Sequence, residues 1–90
     1  MPTVRIPPPY RGPTRGEAEI QVTGSTVREC LEAVEARYPG FRAQVLDAAG
    51  GLHGFVRLFL NGEALAAGRA LDTPVAAEDA LEVLAAIAGG

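Results

Sequence analysis

Alternating apolar and polar residues predict two short strands near the start of the chain. In TVRI the apolar positions are Val4 and Ile6, and in EAEIQV they are Ala18, Ile20 and Val22. The PPPYRGPTRG segment between them is rich in proline and glycine, which do not fit inside a helix or a central strand. We therefore expect a hairpin with a long loop.

The apolar spacing changes to a helical period between residues 26 and 40. The apolar stripe of this helix consists of Val27, Cys30, Leu31, Val34 and Tyr38. Thr26 followed by Glu29 is typical of a capping box, and Pro39-Gly40 predicts the end of the helix. Since Cys30 lies within the stripe, we interpret it as a small buried hydrophobe rather than a reactive thiol.

The clearest strand pattern lies in FVRLFLNGEAL. One face carries Val56, Leu58 and Leu60, and the other carries Phe55, Arg57, Phe59 and Asn61. Asn61-Gly62 is a strong signal for a two-residue hairpin turn into a short following strand. Before this strand, FRAQVLDA predicts a short helical turn, and AGGLHG predicts a loop.

The ALEVLAAIA segment predicts the last strand, with Leu81 and Val83 alternating against Glu82 and Leu84. It follows AAGRALDTPVAAED, a connecting segment with turn-forming residues. The element order is therefore strand, strand, helix, strand, short strand, strand. This order predicts an α+β fold in which one sheet packs on one main helix.

Composition narrows the class of protein. The chain has 90 residues, of which 48% are hydrophobic, which predicts one globular domain. The net charge of −3 argues against a nucleic-acid-binding protein. No apolar run is long enough to cross a bilayer and no signal peptide is visible, so we expect a cytoplasmic protein without a membrane partner. All eight basic residues are arginine, so no lysine side chain can accept an isopeptide bond.

The usual catalytic and metal-binding motifs are missing from the sequence. Cys30 is the single cysteine, which excludes an internal disulfide and a cysteine-rich metal site. His53 has no neighbouring ligands at metal-binding spacing, and we give it little weight as a functional residue. The glycine-rich AAGGLHG lacks the lysine and hydroxyl residue of a phosphate-binding loop. We therefore predict no metal and no bound cofactor.

The chain ends on two glycines, Gly89 and Gly90, directly after the last strand. One interpretation is a frayed terminus, which is common. The other is that the terminal carboxylate, ionised at neutral pH, is the functional group. The sequence pattern alone leaves both open.

Taken together, these segments resemble the MoaD/ThiS family of ubiquitin-like sulfur carriers. The resemblance covers nearly the whole chain and rests on the capped helix, the FLNGE strand and turn, and the final strand ending in Gly-Gly. The segments VRIPPP, RYPGF and LHGFVRLFLNGE are most similar to the CysO-type branch. The resemblance implies a β-grasp fold with a mixed sheet of four to five strands on one main helix. It divides the chain into a domain at 1–84 and a flexible tail at 85–90.

The resemblance also implies a function in which the protein is a co-substrate and not an enzyme. An E1-like adenylating/sulfurtransferase enzyme would use ATP and Mg²⁺ to activate the carboxylate of Gly90, and a sulfur donor would convert it to a thiocarboxylate. A downstream sulfur-accepting synthase would then take the sulfur. Cysteine synthesis is the first choice, with a metallopeptidase releasing the cysteine. Molybdopterin, thiazole or tRNA thiolation are the alternatives.

The tail and one surface patch are the predicted partner-binding sites. They comprise Gly89, Ala88 and Ile87 in the tail, and Phe59 and Leu84 on the outer face of the sheet. A pair of exposed apolar residues is also common on surfaces that bind nothing. Two other functions stay open: a ubiquitin-like modifier joined to lysines of other proteins, and a non-reactive β-grasp interaction module.

Overall fold

Five strands form one mixed sheet in a computed structural model that describes residues 1–66 and 68–85. The strands are β1 (Thr3–Arg5), β2 (Glu19–Gln21), β3 (Val56–Leu60), β4 (Glu63–Ala64) and β5 (Ala80–Ala85). Their order across the sheet is β2-β1-β5-β3-β4. The β1 and β5 strands run parallel, and the other neighbours are antiparallel. This sheet confirms the predicted α+β fold and the hairpin of the first two strands.

Two helices cover one face of the sheet: α1 (Val27–Arg37) and α2 (Phe41–Val45). The Glu29 backbone N–H donates to Thr26 Oγ1 at 3.2 Å, as the predicted cap requires. The Glu29 carboxylate also accepts from the backbone N–H and hydroxyl of Ser25 at 2.8 and 2.9 Å. These bonds from Ser25 lower the pKa of Glu29. The helix start is thus capped by two consecutive residues.

The core lies between this helical layer and the inner face of the sheet. Its fully enclosed side chains include Val4, Leu31, Val34, Phe41, Val56, Leu58, Leu81 and Val83. Cys30 is also 0% exposed, which confirms it as a core residue. A Cβ added to Gly24 would lie 3.0 Å from Cys30 N and 3.1 Å from its Sγ, so glycine permits this close approach. Burial raises the pKa of the Cys30 thiol.

The loop between β1 and β2 is held by its own polar groups. Thr14 is completely buried, and its hydroxyl donates to the Glu17 carbonyl at 3.0 Å. Arg11 Nε donates to the Ile6 carbonyl at 2.9 Å, which ties the loop to the end of β1. Residues Pro8–Tyr10 form a 3-10 turn where the sequence predicted only a loop. The loop therefore stands at a fixed position beside the sheet.

The turn between β3 and β4 is built from Asn61 and Gly62, with φ values of 53° and 84°. These positive values confirm the predicted two-residue hairpin. The Asn61 side chain donates to Asp79 Oδ1 and accepts from Ala80 N, both at 2.9 Å. Asp79 Oδ2 also accepts from Ala76 N at 2.7 Å, and these bonds, the one from Ala76 first, lower the pKa of Asp79. We call these residues the Asn61–Asp79 clamp, which fixes the start of β5 against the end of β3.

Candidate functional site

The β5 strand is central in the sheet and leads toward Gly90. Its inward side chains, Leu81 and Val83, are fully buried, which confirms their predicted orientation. The strand includes Ala85, which is paired with Val56. The predicted boundary between residues 84 and 85 thus lies one residue inside the strand.

The predicted tail sites lie outside the described residues. These sites are Ile87, Ala88, Gly89 and Gly90. Their roles stay predictions. The last described residue of β5, Ala85, pairs with Val56 of β3.

Phe59 and Leu84 lie on the outer face of the sheet, opposite the helices. Phe59 pairs with Glu82 and Arg57 pairs with Leu84, so the two apolar residues are diagonal neighbours on β3 and β5. Both are half-buried, and neither belongs to the core cluster. The structure thus brings them together, and their partner-binding role stays a prediction.

Phe55 lies in the turn that leads into β3, at the end of the sheet where β5 reaches Ala85. It is 66% exposed and precedes Val56, the residue paired with Ala85. The sequence placed Phe55 on the face of Phe59 through their alternation, but did not propose it as a partner-binding residue. Its high exposure, which sequence alternation does not reveal, is the signal that marks it.

A shallow pocket of about 240 Å³ lies on the other side of Leu84, between the sheet and the loop after β1. Its apolar lining includes Pro7, Pro8 and Leu84. Its charged lining consists of Arg5, Arg11, Glu19 and Glu82. The described end of β5 therefore carries Leu84, which belongs to the apolar pair and also lines this pocket.

Side chains that could support other chemistry take part in structural contacts. His53 lies with Nε2 3.1 Å from the Ala43 carbonyl oxygen, and its backbone N–H donates to the Val45 carbonyl at 3.0 Å. These contacts attach the preceding loop to α2. Within residues 1–66 and 68–85, no three His, Cys, Asp or Glu side chains gather as a metal site. No helix in that part of the chain is long and apolar enough to span a membrane.

Sequence comparison finds relatives along nearly the whole chain. The model of the ThiS family matches residues 9–90. The sulfur carrier protein CysO of Mycobacterium bovis is 33% identical over 90 residues, covering 98% of this chain and 97% of the relative. The sulfur carrier protein CysO of Mycobacterium tuberculosis matches equally well.

Solved structures show the same architecture. A chain in the Amycolatopsis orientalis BexX/CysO complex is 34% identical, with a TM-score of 0.91 and full coverage of both chains. CysO of Mycobacterium tuberculosis is 30% identical, with a TM-score of 0.88, covering 97% of this chain and 100% of that one. Small archaeal modifier protein 1 of Methanosarcina acetivorans, at 20% identity and a TM-score of 0.83 over 99% of this chain and 95% of that one, shares the fold alone. These likenesses confirm the predicted β-grasp fold.

Proposed function

Because this chain belongs to the ThiS family, we propose that it carries sulfur on the carboxyl group of Gly90. Its whole-length homology to the sulfur carrier protein CysO confirms the family resemblance predicted from the sequence, and is the observation that carries the proposal. A sulfur carrier is a protein substrate of partner enzymes and not itself a catalyst. The family model runs through residue 90, which supports placing the reaction at this residue.

The proposed chemistry begins with an ionised carboxylate, a poor electrophile. In an E1-like enzyme, a carboxylate oxygen of Gly90 attacks the α-phosphorus of ATP, and pyrophosphate leaves with Mg²⁺. The carbonyl carbon of the acyl adenylate is then attacked by the sulfur of a donor such as sulfide, and AMP leaves. The product is a thiocarboxylate, in which one oxygen has been replaced by sulfur without any change of oxidation state at carbon.

The two glycines suit this reaction because they carry no side chain near the reacting carbonyl. A partner enzyme has to bring Gly90 to ATP, and Ile87, Ala88 and Gly89 would lie in its entry channel. The folded domain provides the surface that a partner enzyme binds. Phe59 and Leu84, diagonal neighbours on β3 and β5, are the proposed contact for the E1-like enzyme.

We propose cysteine synthesis as the pathway, supported by the identity to CysO over the full chain. A synthase would transfer the thiocarboxylate sulfur to the β-carbon of an activated serine, and the serine's leaving group would depart. The product is a thioester between Gly90 and the side chain of the new cysteine. The acyl group of Gly90 would then move from this sulfur to the cysteine amino group, and a metallopeptidase would hydrolyse the resulting amide bond and release cysteine. Water supplies the oxygen that regenerates the carboxylate.

Intact-mass spectrometry tests the function directly. The chain is incubated with ATP, Mg²⁺, sulfide and the E1-like enzyme of the same genome, and the expected product is heavier by the difference between sulfur and oxygen. Deletion of Gly90 should abolish this shift, whereas Glu63→Gln, a change at an exposed position on β4, should leave it intact. If the enzyme releases AMP from ATP but the wild-type chain keeps its original mass, the proposal is wrong.

A second incubation tests the pathway. Thiocarboxylated chain is mixed with a cysteine synthase of the same organism and an O-activated serine, and the expected mass corresponds to one added cysteine. If the chain keeps its sulfur in this incubation but loses it to a molybdopterin, thiazole or tRNA-thiolating enzyme, the carrier belongs to that pathway instead.

A further inference from the structure

One row of side chains crosses the outer face of the sheet with alternating charge. Strand pairing aligns Glu19 on β2 with Arg5 on β1, Arg5 with Glu82 on β5, and Glu82 with Phe59 on β3. Arg5 therefore stands between two carboxylates, one on each neighbouring strand. An arginine in this position can satisfy either of them.

The structure resolves this competition in favour of Glu19. Arg5 Nε lies 3.6 Å from Glu19 Oε2. The other arginines near Glu82 donate to backbone carbonyls: Arg57 to those of Gly54 and Val56 at 2.9 and 3.1 Å, and Arg11, which lines the same pocket as Glu82, to that of Ile6 at 2.9 Å. Glu82 is left without a hydrogen bond or ion pair to any residue in 1–66 and 68–85, although it is half-buried.

Glu82 lies between Arg5 on one side and the apolar surface proposed above for docking on the other. Phe59 is its cross-strand neighbour, and Leu84 follows two residues later on the same face of β5. Covering these apolar residues with a partner would remove water from the Glu82 carboxylate. A carboxylate that loses water without gaining a counter-ion costs free energy. Because Arg5 pairs with Glu19, a cation on the covering surface would offset this cost.

We propose that Glu82 forms an ion pair with an arginine or lysine of the E1-like adenylating enzyme, whose side-chain stem packs on Phe59 and Leu84. This inference rests on the proposed function, because an enzyme that acts on Gly90 must approach along the end of β5. An enzyme that binds ATP also carries cations near its active site, and this chain has a net charge of −3.

The test compares Glu82→Gln with Glu63→Gln, which removes the same charge from an exposed position on β4. The measurement is the KM of each chain in the thiocarboxylation reaction, at low and at raised salt. We expect Glu82→Gln to raise KM about tenfold at low salt with kcat unchanged, and Glu63→Gln to stay within about twofold. The difference should shrink as salt increases, because salt screens the ion pair.

A second variant separates this ion pair from a general charge effect. Glu19→Gln frees Arg5 to turn toward Glu82, so it should raise KM more than Glu63→Gln although Glu82 is intact. Thermal unfolding of all variants confirms that each is folded. Equal KM values for Glu82→Gln and Glu63→Gln, with wild-type chain reacting normally, would overturn the ion pair alone. A wild-type chain that is never thiocarboxylated would instead overturn the proposed function.

Discussion

The two faces of β5 differ although they belong to the same six-residue strand. Leu81 and Val83 point toward the helices and are 0% exposed, whereas Glu82 and Leu84 point away from them and are half-buried. Backbone pairing to β1 and β3 serves both sets equally. The difference comes from what covers each face, because the helices cover only one.

This difference separates stability from recognition. Burying a leucine or valine side chain contributes about 1.5–3 kcal/mol, so the inner face largely determines whether the chain folds. Exposed ion pairs such as that of Arg5 with Glu19 contribute about 0–1 kcal/mol. Substitutions on the outer face can therefore change partner binding while the fold survives.

The largest expected effect is on the inner face. Leu81→Ala should lower the free energy of unfolding by about 2–5 kcal/mol, because it leaves a cavity in a closed core. Leu84→Ala, the same change three residues along the strand, should cost about 1 kcal/mol or less. Urea unfolding of both variants checks the contrast, and equal losses would contradict the assignment of the two faces.

A smaller effect, on binding rather than folding, is expected at Phe59. Phe59→Asp places a charge beside Glu82 and removes apolar contact area, so the KM for activation should rise at least about tenfold. The unfolding midpoint should change little, because Phe59 lies outside the core cluster. Steady-state adenylation assays measure the effect, with Phe59→Leu as the apolar control. Unchanged adenylation of Phe59→Asp would remove the docking role of this face.

The smallest expected effect is on the contacts that hold β5 in register, and so decide which of its side chains face the core. A slip of one residue would turn Glu82 and Leu84 inward, and the Asn61–Asp79 clamp opposes it at the start of β5. Because folding lowers the pKa of Asp79, its stabilising contribution is present above the usual aspartate pKa and disappears as the pH falls through the lowered value.

Asp79→Asn keeps the side-chain shape but removes the charge. Its unfolding midpoint should lie below that of wild type at neutral pH, and the two should converge in acid. Thermal unfolding across this pH range, with Glu78→Gln as the neighbouring control, measures the gap. A gap that widens toward acid would reverse the assigned sign.

Local pattern was enough to predict much of this architecture. The period-two alternation in FVRLFL identified which side chains of β3 face the core, and Asn61-Gly62 predicted the turn. The Asn61–Asp79 clamp could not be predicted, because it joins residues from two separate turns. Glu82 likewise has no ion pair because Arg5, which lies between Glu82 and Glu19 on neighbouring strands, pairs with Glu19. Such choices are made by packing between distant segments, and no local spacing encodes them.

The enclosed thiol of Cys30 has a practical consequence for studying sulfur loading. Thiolates, not thiols, react with alkylating reagents, and burial both raises the pKa of Cys30 and blocks access to it. The chain has no other cysteine. In folded protein, an alkylating reagent would therefore mark a thiocarboxylate at Gly90 and leave Cys30 unmarked. Counting labels per molecule would then report the fraction of charged carriers, and a further label would report only molecules that had unfolded.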